Sequence, residues 1–286
     1  MKVNILKQND PSYPYVLRDI PSAPKELFFV GAKPQEWLSR PKVAVVGSRK
    51  VSAYGREVTD RLASALAEAG VVIISGLALG IDSIAHQAAL KAGETTVAVL
   101  PTSLNKIYPA SHTNLARQII EQGGTLISEY PLGSEAYKVN FTARNRIVSG
   151  LADGLLITEA AVNSGTLSTA RFALDQGRTV MVVPGNITSP NSEGANNLIK
   201  SGALPITDVS DIFFALNIKP KTSAKRIFRG TPEEEKVLES IRQGIASQEE
   251  LALKLKLSGA KLGSVLTMLE ISGHIRPAGN GNWLPV

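Results

Sequence analysis

The sequence predicts an α/β fold in which a doubly wound, mostly parallel sheet is followed by a small C-terminal domain. Two observations predict the sheet. From residue 42 onward, short and nearly continuous apolar runs alternate with amphipathic helical stretches, which is typical of parallel strands covered by helices on both faces. Glycines end many of these helical stretches, where a helix C-cap favours them, as at Gly70, Gly93, Gly123 and Gly177. We therefore expect a Rossmann-like sheet domain.

The predicted strands and helices alternate along the chain. In order, the strands are KVAVVG, VVIISG, TTVAVL, TLISEY, GLLITEA and TVMVVPG. The helical stretches that follow them are YGREVTDRLASALAEAG, IDSIAHQAALKAG, TNLARQIIEQGG, ARNRIVSGLADG, TLSTARFALDQG and GANNLIKSGA. The segment LPITDVSDIFFAL closes the series. This pattern predicts a Rossmann-like domain at 42–218, preceded by a proline-punctuated N-terminal extension at 1–41.

The C-terminal part, residues 231–286, predicts a winged-helix domain. Thr231 and Glu234 form a capping box before the first helix, and Ser247 repeats the pattern before the second. Ser258 precedes the third helix, and HIRPAGNGNWLPV predicts a hairpin with a Gly-Asn turn.

Two features of this part bear on its role. The exposed positions expected on the third helix are Lys261, Ser264, Thr267 and Glu270. They offer little for reading duplex DNA in the major groove, so we favour a docking or auxiliary role. A linker at 219–230 carries five cations and no acid, which is compatible with a solvated linker or with a nucleic-acid contact.

Composition limits the function classes. The chain has 286 residues, 43% hydrophobic and 20% charged, with no cysteine and three histidines. Disulfides and thiolate metal sites are excluded, and no metal site is expected. No apolar stretch reaches the ~20 residues that span a bilayer, and the N-terminus lacks a signal-peptide pattern. We therefore expect a cytoplasmic protein with no membrane contact. The net charge is +6 overall but only +2 over residues 1–218, so any anion site there must be a local cluster.

The loops after the strands are candidate ligand sites, because ligands bind at the carboxyl ends of parallel strands. After the first strand, Gly47, Ser48 and Arg49 combine a close backbone approach with helix amides and a bidentate cation. The segment GSRKVSAYG lacks the glycine spacing of a dinucleotide fingerprint, and the chain has no Walker A pattern. Neither NAD nor ATP is indicated, and no cofactor is expected.

Other loops at the same edge add polar groups. Ser164, Gly165 and Thr166 open a helix, where capping alone is a sufficient explanation for them. The loop VPGNITSPNSEGANN is also polar. Together these loops predict a groove whose lining groups donate hydrogen bonds to phosphate. Asp82 and His86 lie four residues apart on one helix face, and they are either a catalytic dyad or, as we favour, a structural pair.

The segment KVNFTARNRIVSGL combines cations with an aromatic ring. Lys138, Arg144 and Arg146 supply positive charge, and Phe141 supplies a face for stacking. Proteins that bind single-stranded nucleic acid combine these two chemistries. An ion pair of Arg146 with Glu129 or Glu159 is an alternative, and so is a core phenylalanine beside surface ion pairs.

Several motifs together resemble the DNA-processing protein A family, also called Smf. They run in order from about Tyr13 to Leu216 and are GSR, SGLALGIDSIAHQAAL, IYPASHTNL, GGTLISEYPLG, FTARNRIVSGLADGLLITEAAVNSGTLSTARFAL and VPGNITSPNSEGANNLIKSGA. One departure is Thr142, which stands where the family often has proline.

The resemblance implies a dimeric, non-enzymatic protein that binds single-stranded DNA and delivers it to the RecA recombinase in natural transformation. Carried over to this sequence, it implies a DNA pocket formed by Arg49, Lys138, Phe141, Arg144 and Asn145. A homodimer, RecA and single-stranded DNA are thus the expected partners, in competence and DNA recombination.

An enzyme is the rival hypothesis. The segment RNRIVSGLADGLLITEAAVNSGTLSTA is distantly similar to the lonely-guy phosphoribohydrolases, which cleave nucleotides and carry a P-G-G-x-G-T-x-x-E loop. Here Gly165 and Thr166 match, but the Pro-Gly-Gly is missing and Thr169 occupies the position of the catalytic glutamate. Threonine cannot supply the carboxylate that glycosidic cleavage needs. A pure protein-interaction scaffold would explain the C-terminal part but would leave the glycine-rich loops without a role.

Overall fold

The computed structural model describes residues 2–135, 137–220, 230–279 and 281–285. The chain divides into two compact units, Met1–Ser223 and Ala224–Val286. Most of the basic linker predicted at 219–230 lies outside the described residues.

The described part of the first unit forms one nine-stranded sheet. The strands are β1 Asn4–Lys7, β2 Glu26–Gly31, β3 Lys42–Val46, β4 Val72–Ser75, β5 Thr96–Val99, β6 Thr125–Ser128, β7 Gly154–Ile157, β8 Thr179–Val182 and β9 Leu204–Pro205. Their order in the sheet is β1-β2-β6-β5-β4-β3-β7-β8-β9. Neighbouring strands pair in parallel across the part of the sheet that runs β6-β5-β4-β3-β7-β8-β9. The inner strands β3 to β7 are buried along their whole length.

Helices connect these strands. They are α1 Pro34–Leu38, α2 Ala53–Glu68, α3 Ile81–Lys91, α4 Thr113–Glu121, α5 Lys138–Leu151, α6 Thr166–Asp175, α7 Glu193–Lys200 and α8 Val209–Ala215. Separate clusters of buried apolar side chains pack on the sheet, one of them with α5 and α6 and another with α2 and α3. The doubly wound architecture predicted from the alternating runs is confirmed.

The strand order reverses between β3 and β7. From β3 the chain moves outward through β4 and β5 to β6, and it then returns to place β7 on the other side of β3. Such a switch point leaves a crevice outside the carboxyl ends of the two strands. The loops that follow β3 and β7 therefore border a common cleft.

The N-terminal residues belong to the sheet, in contrast to the extension predicted at 1–41. β2 pairs antiparallel with β6, and β1 pairs antiparallel with β2. Trp37 is 1% exposed and donates a hydrogen bond from Nε1 to Thr125 Oγ1 at 3.0 Å. The periodicity of the parallel strands does not extend here because β1 and β2 are antiparallel additions to the edge of the sheet.

The described part of the second unit contains three helices followed by two antiparallel strands, the order predicted for a winged helix. These are α9 Pro232–Arg242, α10 Gln248–Leu255, α11 Gly259–Ile271, β10 Ile275–Gly279 and β11 Asn282–Pro285. The capping box of Thr231 and Glu234 is formed as predicted. Ser247 precedes α10, but its side chain makes no capping hydrogen bond. The predicted Gly-Asn turn includes residue 280, which lies outside the described residues.

Within the described ranges, no helix is long and apolar enough to cross a membrane. The same residues contain no group of three or more histidine, aspartate or glutamate side chains that could hold a metal ion.

Candidate nucleic-acid interface

A pocket of about 440 Å³ lies in the crevice at the switch point. It is bordered by the loops after β3, β4 and β7, by the first turn of α3, the first two turns of α5 and the first turn of α6, and by the loop before α7. Its lining residues are Val46, Gly47, Ser48, Arg49, Lys50, Ala78, Asp82, Phe141, Thr142, Arg144, Asn145, Ala161, Asn163, Ser164, Gly165, Thr166, Thr169 and Asn191. Nine of the eleven residues predicted for DNA binding thus lie together, and the other two are Lys138 and Arg146.

The loop after β3 can approach the pocket because Gly47 has no side chain. A Cβ at this position would lie 2.6 Å from Ile81 Cγ1 and 2.8 Å from the carbonyl oxygen of Glu159. The Ser48 amide donates to the same carbonyl at 2.8 Å, which fixes the loop against the end of β7. Arg49 follows with an exposed side chain. The loop therefore presents a cation, Arg49, at the mouth of the pocket, and the exposed Lys50 follows it in the lining.

The loop before α6 contributes hydroxyl groups and a helix N-terminus. Ser164 Oγ accepts the amide hydrogen of Thr166 at 3.2 Å and donates to Thr166 Oγ1 at 2.9 Å. Ser168 Oγ donates to the Gly165 carbonyl and accepts from Asn145 Nδ2 at 3.1 Å, which connects α6 to α5. The positive end of a helix and its first amides favour an anion at this wall of the pocket.

Phe141 lies on α5, lines the pocket and is only partly buried. Its ring makes an edge contact with the ring of Tyr108, with centroids 5.0 Å apart at 80°. The guanidinium carbon of Arg49 lies 5.8 Å from the centre of the Phe141 ring. The alternative of a core phenylalanine does not fit this position, because the ring borders an open pocket beside an exposed cation.

Arg144 forms part of the pocket floor. It is 4% exposed, and its Nη1 donates to the carbonyl oxygens of Gly76, at 2.6 Å, and Val99. Burial lowers the pKa of this guanidinium to about 10, against an opposing effect of the Asp82 carboxylate. Arg144 therefore stays charged at neutral pH, but two of its donor contacts hold the ends of β4 and β5 together.

Asp82 and His86 do not form the predicted pair. Asp82 Oδ2 accepts from the amides of Gly76 and Ala78 at 3.1 and 3.4 Å, whereas His86 Nδ1 lies 2.7 Å from Thr96 Oγ1. No hydrogen bond joins Asp82 and His86 within the described residues. The i,i+4 spacing places both side chains on a buried face, and each finds a closer partner on a neighbouring loop or strand. Burial raises the pKa of the Asp82 carboxyl.

Lys138 and Arg146 lie outside the pocket lining. Lys138 is exposed at the first position of α5. Arg146 makes two hydrogen bonds to the Glu129 carboxylate, at 2.6 and 2.8 Å, and donates to the Ser22 carbonyl at 3.0 Å. The ion pair named as an alternative for Arg146 is thus the one found, with Glu129. Glu159 instead accepts the amide hydrogen of Ser52 at 2.9 Å.

Sequence reasoning did not assign several residues that line the pocket or adjoin it. Lys50 follows the predicted Gly47–Arg49 motif directly, and Asn191 lies in the polar loop VPGNITSPNSEGANN. Tyr108 and Leu79 line a smaller recess that shares Phe141 and Arg49 with the pocket. Asn191 could have been predicted from its place in a polar loop at this edge of the sheet. The contact of Tyr108 with Phe141 could not, because the two residues are far apart in the sequence.

Comparison with known protein families matches both units. A family model described as DNA recombination-mediator protein A matches residues 4–217, and one described as the DprA winged helix domain matches residues 220–281. The Rossmann-like assignment and the winged-helix assignment agree with these matches.

Individual proteins and structures give the same result. Protein Smf of Escherichia coli is 50% identical over 171 residues, which are 60% of this chain and 46% of that protein. DNA processing protein DprA of Streptococcus pneumoniae is 41% identical over 203 residues, 71% of each chain. This chain thus spans about half the length of the first relative and about 70% of the second.

Two solved structures are similar as well. The X-ray structure of DprA from Streptococcus pneumoniae is 39% identical with a TM-score of 0.70, and the match covers 75% of this chain and 74% of that one. The structure of DNA processing protein A from Helicobacter pylori, described for its single-stranded DNA binding mode, is 35% identical with a TM-score of 0.66. That match covers 76% of this chain and 96% of that one.

Proposed function

Because this chain belongs to the DNA recombination-mediator protein A (DprA/Smf) family, we propose that it binds single-stranded DNA with little sequence specificity and helps load the RecA recombinase on it. The process served is natural transformation or another form of DNA recombination. The single-stranded DNA binding mode described for the Helicobacter pylori relative supports the first part of this proposal. The recombination-mediator description of the family supports the second.

The contact of Arg49 with Phe141 carries the DNA-binding proposal. An exposed guanidinium lies 5.8 Å from the centre of a partly exposed aromatic ring at the mouth of one pocket. A single strand offers phosphates to the cation and flat bases to the ring, so one nucleotide engages both. A duplex keeps its bases stacked inside and leaves the ring without a partner.

The remaining polar groups of the pocket favour backbone contacts. Ser48, Ser164 and Thr166 carry hydroxyls near helix N-termini, and such groups bind phosphates without reading sequence. Low sequence specificity follows, because stacking on Phe141 is available to every base.

The second unit is proposed to dock a partner or to assist, with the DNA pocket confined to the first unit. On α11, Lys261 pairs with Glu233 of α9, and the other exposed positions expected there, Ser264, Thr267 and Glu270, carry no positive charge. A helix with these side chains has few groups for base readout in a major groove. We further propose that the protein acts in the cytoplasm as a homodimer, as the family resemblance implies.

The test is a fluorescence-anisotropy titration of the full chain with oligo-dT, with a duplex of the same length and with deoxynucleoside monophosphates. We expect the single strand to bind more tightly than the duplex, with weak monophosphate binding. Preference for the duplex, or no binding of any strand, would refute the DNA-binding proposal. Addition of free RecA and ATP to the oligo-dT complex then tests loading, and RecA filaments should form on the strand faster with the protein than without it.

A nucleotide-cleaving enzyme is the second candidate, and one observation favours it. Although Thr169 replaces the catalytic glutamate of the lonely-guy phosphoribohydrolases, the pocket does contain a carboxylate, that of Asp82. Incubation with nucleoside monophosphates distinguishes the candidates, since release of free base would establish the enzyme. We propose that the protein is not an enzyme, in keeping with relatives named for DNA processing and recombination mediation.

A further inference from the structure

The third helix of the second unit, α11, has two faces of different composition. One face is buried in the unit and carries Leu262, Val265, Leu266 and Leu269, each at most 7% exposed. The opposite face is exposed over about three turns. Its residues follow one another at helical spacing and are Ala260, Ser264, Thr267, Met268 and Ile271. We call these five residues the outer face of α11.

The outer face has no charged side chain and ends in two large apolar ones. Met268 is 52% exposed and Ile271 is 76% exposed. The Thr267 hydroxyl donates to the Gly263 carbonyl at 3.0 Å within the helix, so this donor is already used. Exposed apolar side chains that lie together mark a surface for another molecule, and methionine is enriched in protein interfaces. The outer face is therefore suited to an apolar contact.

The charge of the second unit argues against nucleic acid as the occupant of this face. Residues 231–286 contain six cations and seven acids. Phosphate backbones are bound mainly through an excess of lysine and arginine, which these residues lack. Two nearly neutral surfaces, in contrast, approach each other without repulsion. The occupant is thus an apolar and uncharged protein surface.

The order of side-chain sizes along the outer face indicates which protein surface fits it. The N-terminal half of the face carries the small side chains of Ala260 and Ser264. The C-terminal half carries the large side chains of Met268 and Ile271. A second α11 that runs antiparallel brings its large half onto the small half of the first, so that Ala260 faces Ile271 of the second copy. Two-fold symmetry repeats the same fit in the other half, and large side chains fill the spaces above small ones throughout.

We propose that α11 pairs with α11 of a second copy of this chain, antiparallel about a two-fold axis, through the outer face. The docking partner of the second unit is thereby the second unit of another copy. The inference goes beyond single-strand binding and does not depend on it, since no residue of the pocket is involved. The outer face is small beside the ~20–30 residues on each side of a standard interface, so this pairing is weak by itself. It becomes effective where other contacts already hold two copies together, because the second contact is then intramolecular.

Cross-linking through a single cysteine tests the pairing, because the chain has no cysteine of its own. When Ala260 faces Ile271 of the second copy, the two-fold axis passes between Ser264 and Thr267. The two copies of residue 264 are then about 4.5 Å apart along the helix, which is compatible with the ~4–7 Å between the Cα atoms of a disulfide. The matched control is Glu270→Cys, at an exposed position on the side of the same helix. Its two copies lie about 13 Å apart along the helix.

Both full-length variants are oxidised with diamide, which accepts two electrons and two protons from the two thiols as the S–S bond forms. We expect Ser264→Cys to give the covalent dimer at least about 10-fold faster than Glu270→Cys, since pairing raises the effective concentration of the thiols. Equal rates for the two variants would overturn the proposal. Both variants should bind oligo-dT as wild type does, so a failure of pairing and a failure of DNA binding are observed separately.

An exchange of sizes tests the antiparallel register. In the Ser264→Cys chain, Ala260→Ile places a large side chain against Ile271 of the second copy and should slow cross-linking about 5-fold or more. Adding Ile271→Ala reverses the order of sizes along the face and should restore the rate. The control Leu253→Ala removes an apolar side chain that is 80% exposed on α10 and should leave the rate unchanged. A combined Ala260→Ile, Ile271→Ala chain that cross-links as slowly as Ala260→Ile alone would overturn this register.

RecA is the alternative occupant of the outer face. Met268→Glu together with Ile271→Glu places charge in the face, and in the Ser264→Cys chain it should reduce cross-linking to the rate of Glu270→Cys. RecA loading should then stay as in wild type. Slower RecA loading by this variant, in a chain whose Ser264→Cys form does not cross-link, would assign the outer face to RecA and overturn the pairing.

Discussion

Arg49 and Phe141 come from different elements, the loop after β3 and the helix α5, and yet the guanidinium carbon of one lies 5.8 Å from the ring centre of the other. The two side chains should contribute by different physical mechanisms. A cation acts on the phosphate charge and depends on salt, whereas a stacking ring does not release counterions. Variants at the two positions can therefore be separated by salt titration.

Arg49→Ala should weaken binding of every single strand and flatten the dependence of log K on log salt concentration by about 0.7, the value for one lost phosphate contact on a single strand. Lys138→Ala should have the same effect only with oligos long enough to leave the pocket, because Lys138 lies outside the pocket lining. Salt titrations with short and long oligo-dT check both expectations. An unchanged slope for Arg49→Ala would show that Arg49 does not contact a phosphate.

Phe141→Ala should cost about 1–3 kcal/mol of binding free energy if one base stacks on the ring, with the wild-type salt slope retained. Its thermal midpoint should change little, because the ring is only partly buried. The control is Phe214→Ala, which removes a phenylalanine that is 90% exposed on α8 and should leave binding unchanged. A large loss of stability with normal affinity would return Phe141 to a packing role.

Arg146→Ala should destabilise the first unit by about 3–5 kcal/mol, because it leaves the Glu129 carboxylate without its partner. The ion-paired side chains are only 11% and 16% exposed. DNA affinity of the folded variant should stay close to that of wild type. Chemical denaturation and anisotropy measure the two properties, and the control Arg171→Ala removes an exposed cation from α6. Normal stability with lost binding would place Arg146 in the DNA site.

Acid should destabilise the first unit through His86. Thr96 Oγ1 donates to the Ile73 carbonyl, so His86 Nδ1 is the donor in their contact and Nε2 is left bare. Burial lowers the pKa of His86 to about 3, and the positive charges of His112 and Arg144 act in the same direction. The unfolded chain, with a pKa of about 6.5, therefore binds the proton more readily.

The contribution of neutral His86 to the free energy of unfolding is fully present above about pH 6.5. Below that pH it falls by about 1.4 kcal/mol per pH unit, down to the folded pKa of about 3. Denaturation midpoints between pH 7 and pH 5 measure the slope. His86→Gln should make the slope shallower by that amount, whereas His274→Gln in the second unit should not alter the slope of the first. Equal slopes for wild type and His86→Gln would contradict this account.

A fragment that ends after Pro220 should fold and keep most of the single-strand affinity. This end point keeps the whole core of the first unit, because Ile218 is 8% exposed and packs in the apolar cluster with α2 and α3. Circular dichroism and anisotropy check the fragment. A folded fragment without DNA affinity would move the site out of the first unit.

The sequence predicts the parallel sheet well because its signal is local. Each inner strand is a short apolar run, and burial on both faces requires that composition. The N-terminal strands were missed because ELFFVG stands alone between prolines, and only pairing with β6 makes it a strand. Its partner lies about 100 residues further along the chain, beyond any local pattern.

The candidate site divides in the same way. The residue types at the strand ends were enough to predict that Gly47–Arg49 and Ser164–Thr166 border one groove. The loops that contain them follow β3 and β7, which are neighbours at the switch point. The partners of individual side chains did not follow from spacing. Asp82 and His86 have the spacing of a pair, but the amides of the preceding loop and the hydroxyl of Thr96 lie closer to them. Tertiary geometry outweighs nearness in sequence here, because Thr96 lies ten residues from His86 and still forms the contact.

Arg144 joins segments that are distant along the chain, since it lies 68 residues from Gly76 and 45 from Val99. Closing loops of this length costs conformational entropy, which the contacts made in the folded sheet must offset. A partly folded chain, in which α5 is formed but not docked on β4 and β5, has no pocket floor. Affinity for a single strand thus reports completion of the sheet, and a bound strand should in turn slow amide hydrogen exchange in α5 more than in the sheet strands that it does not touch.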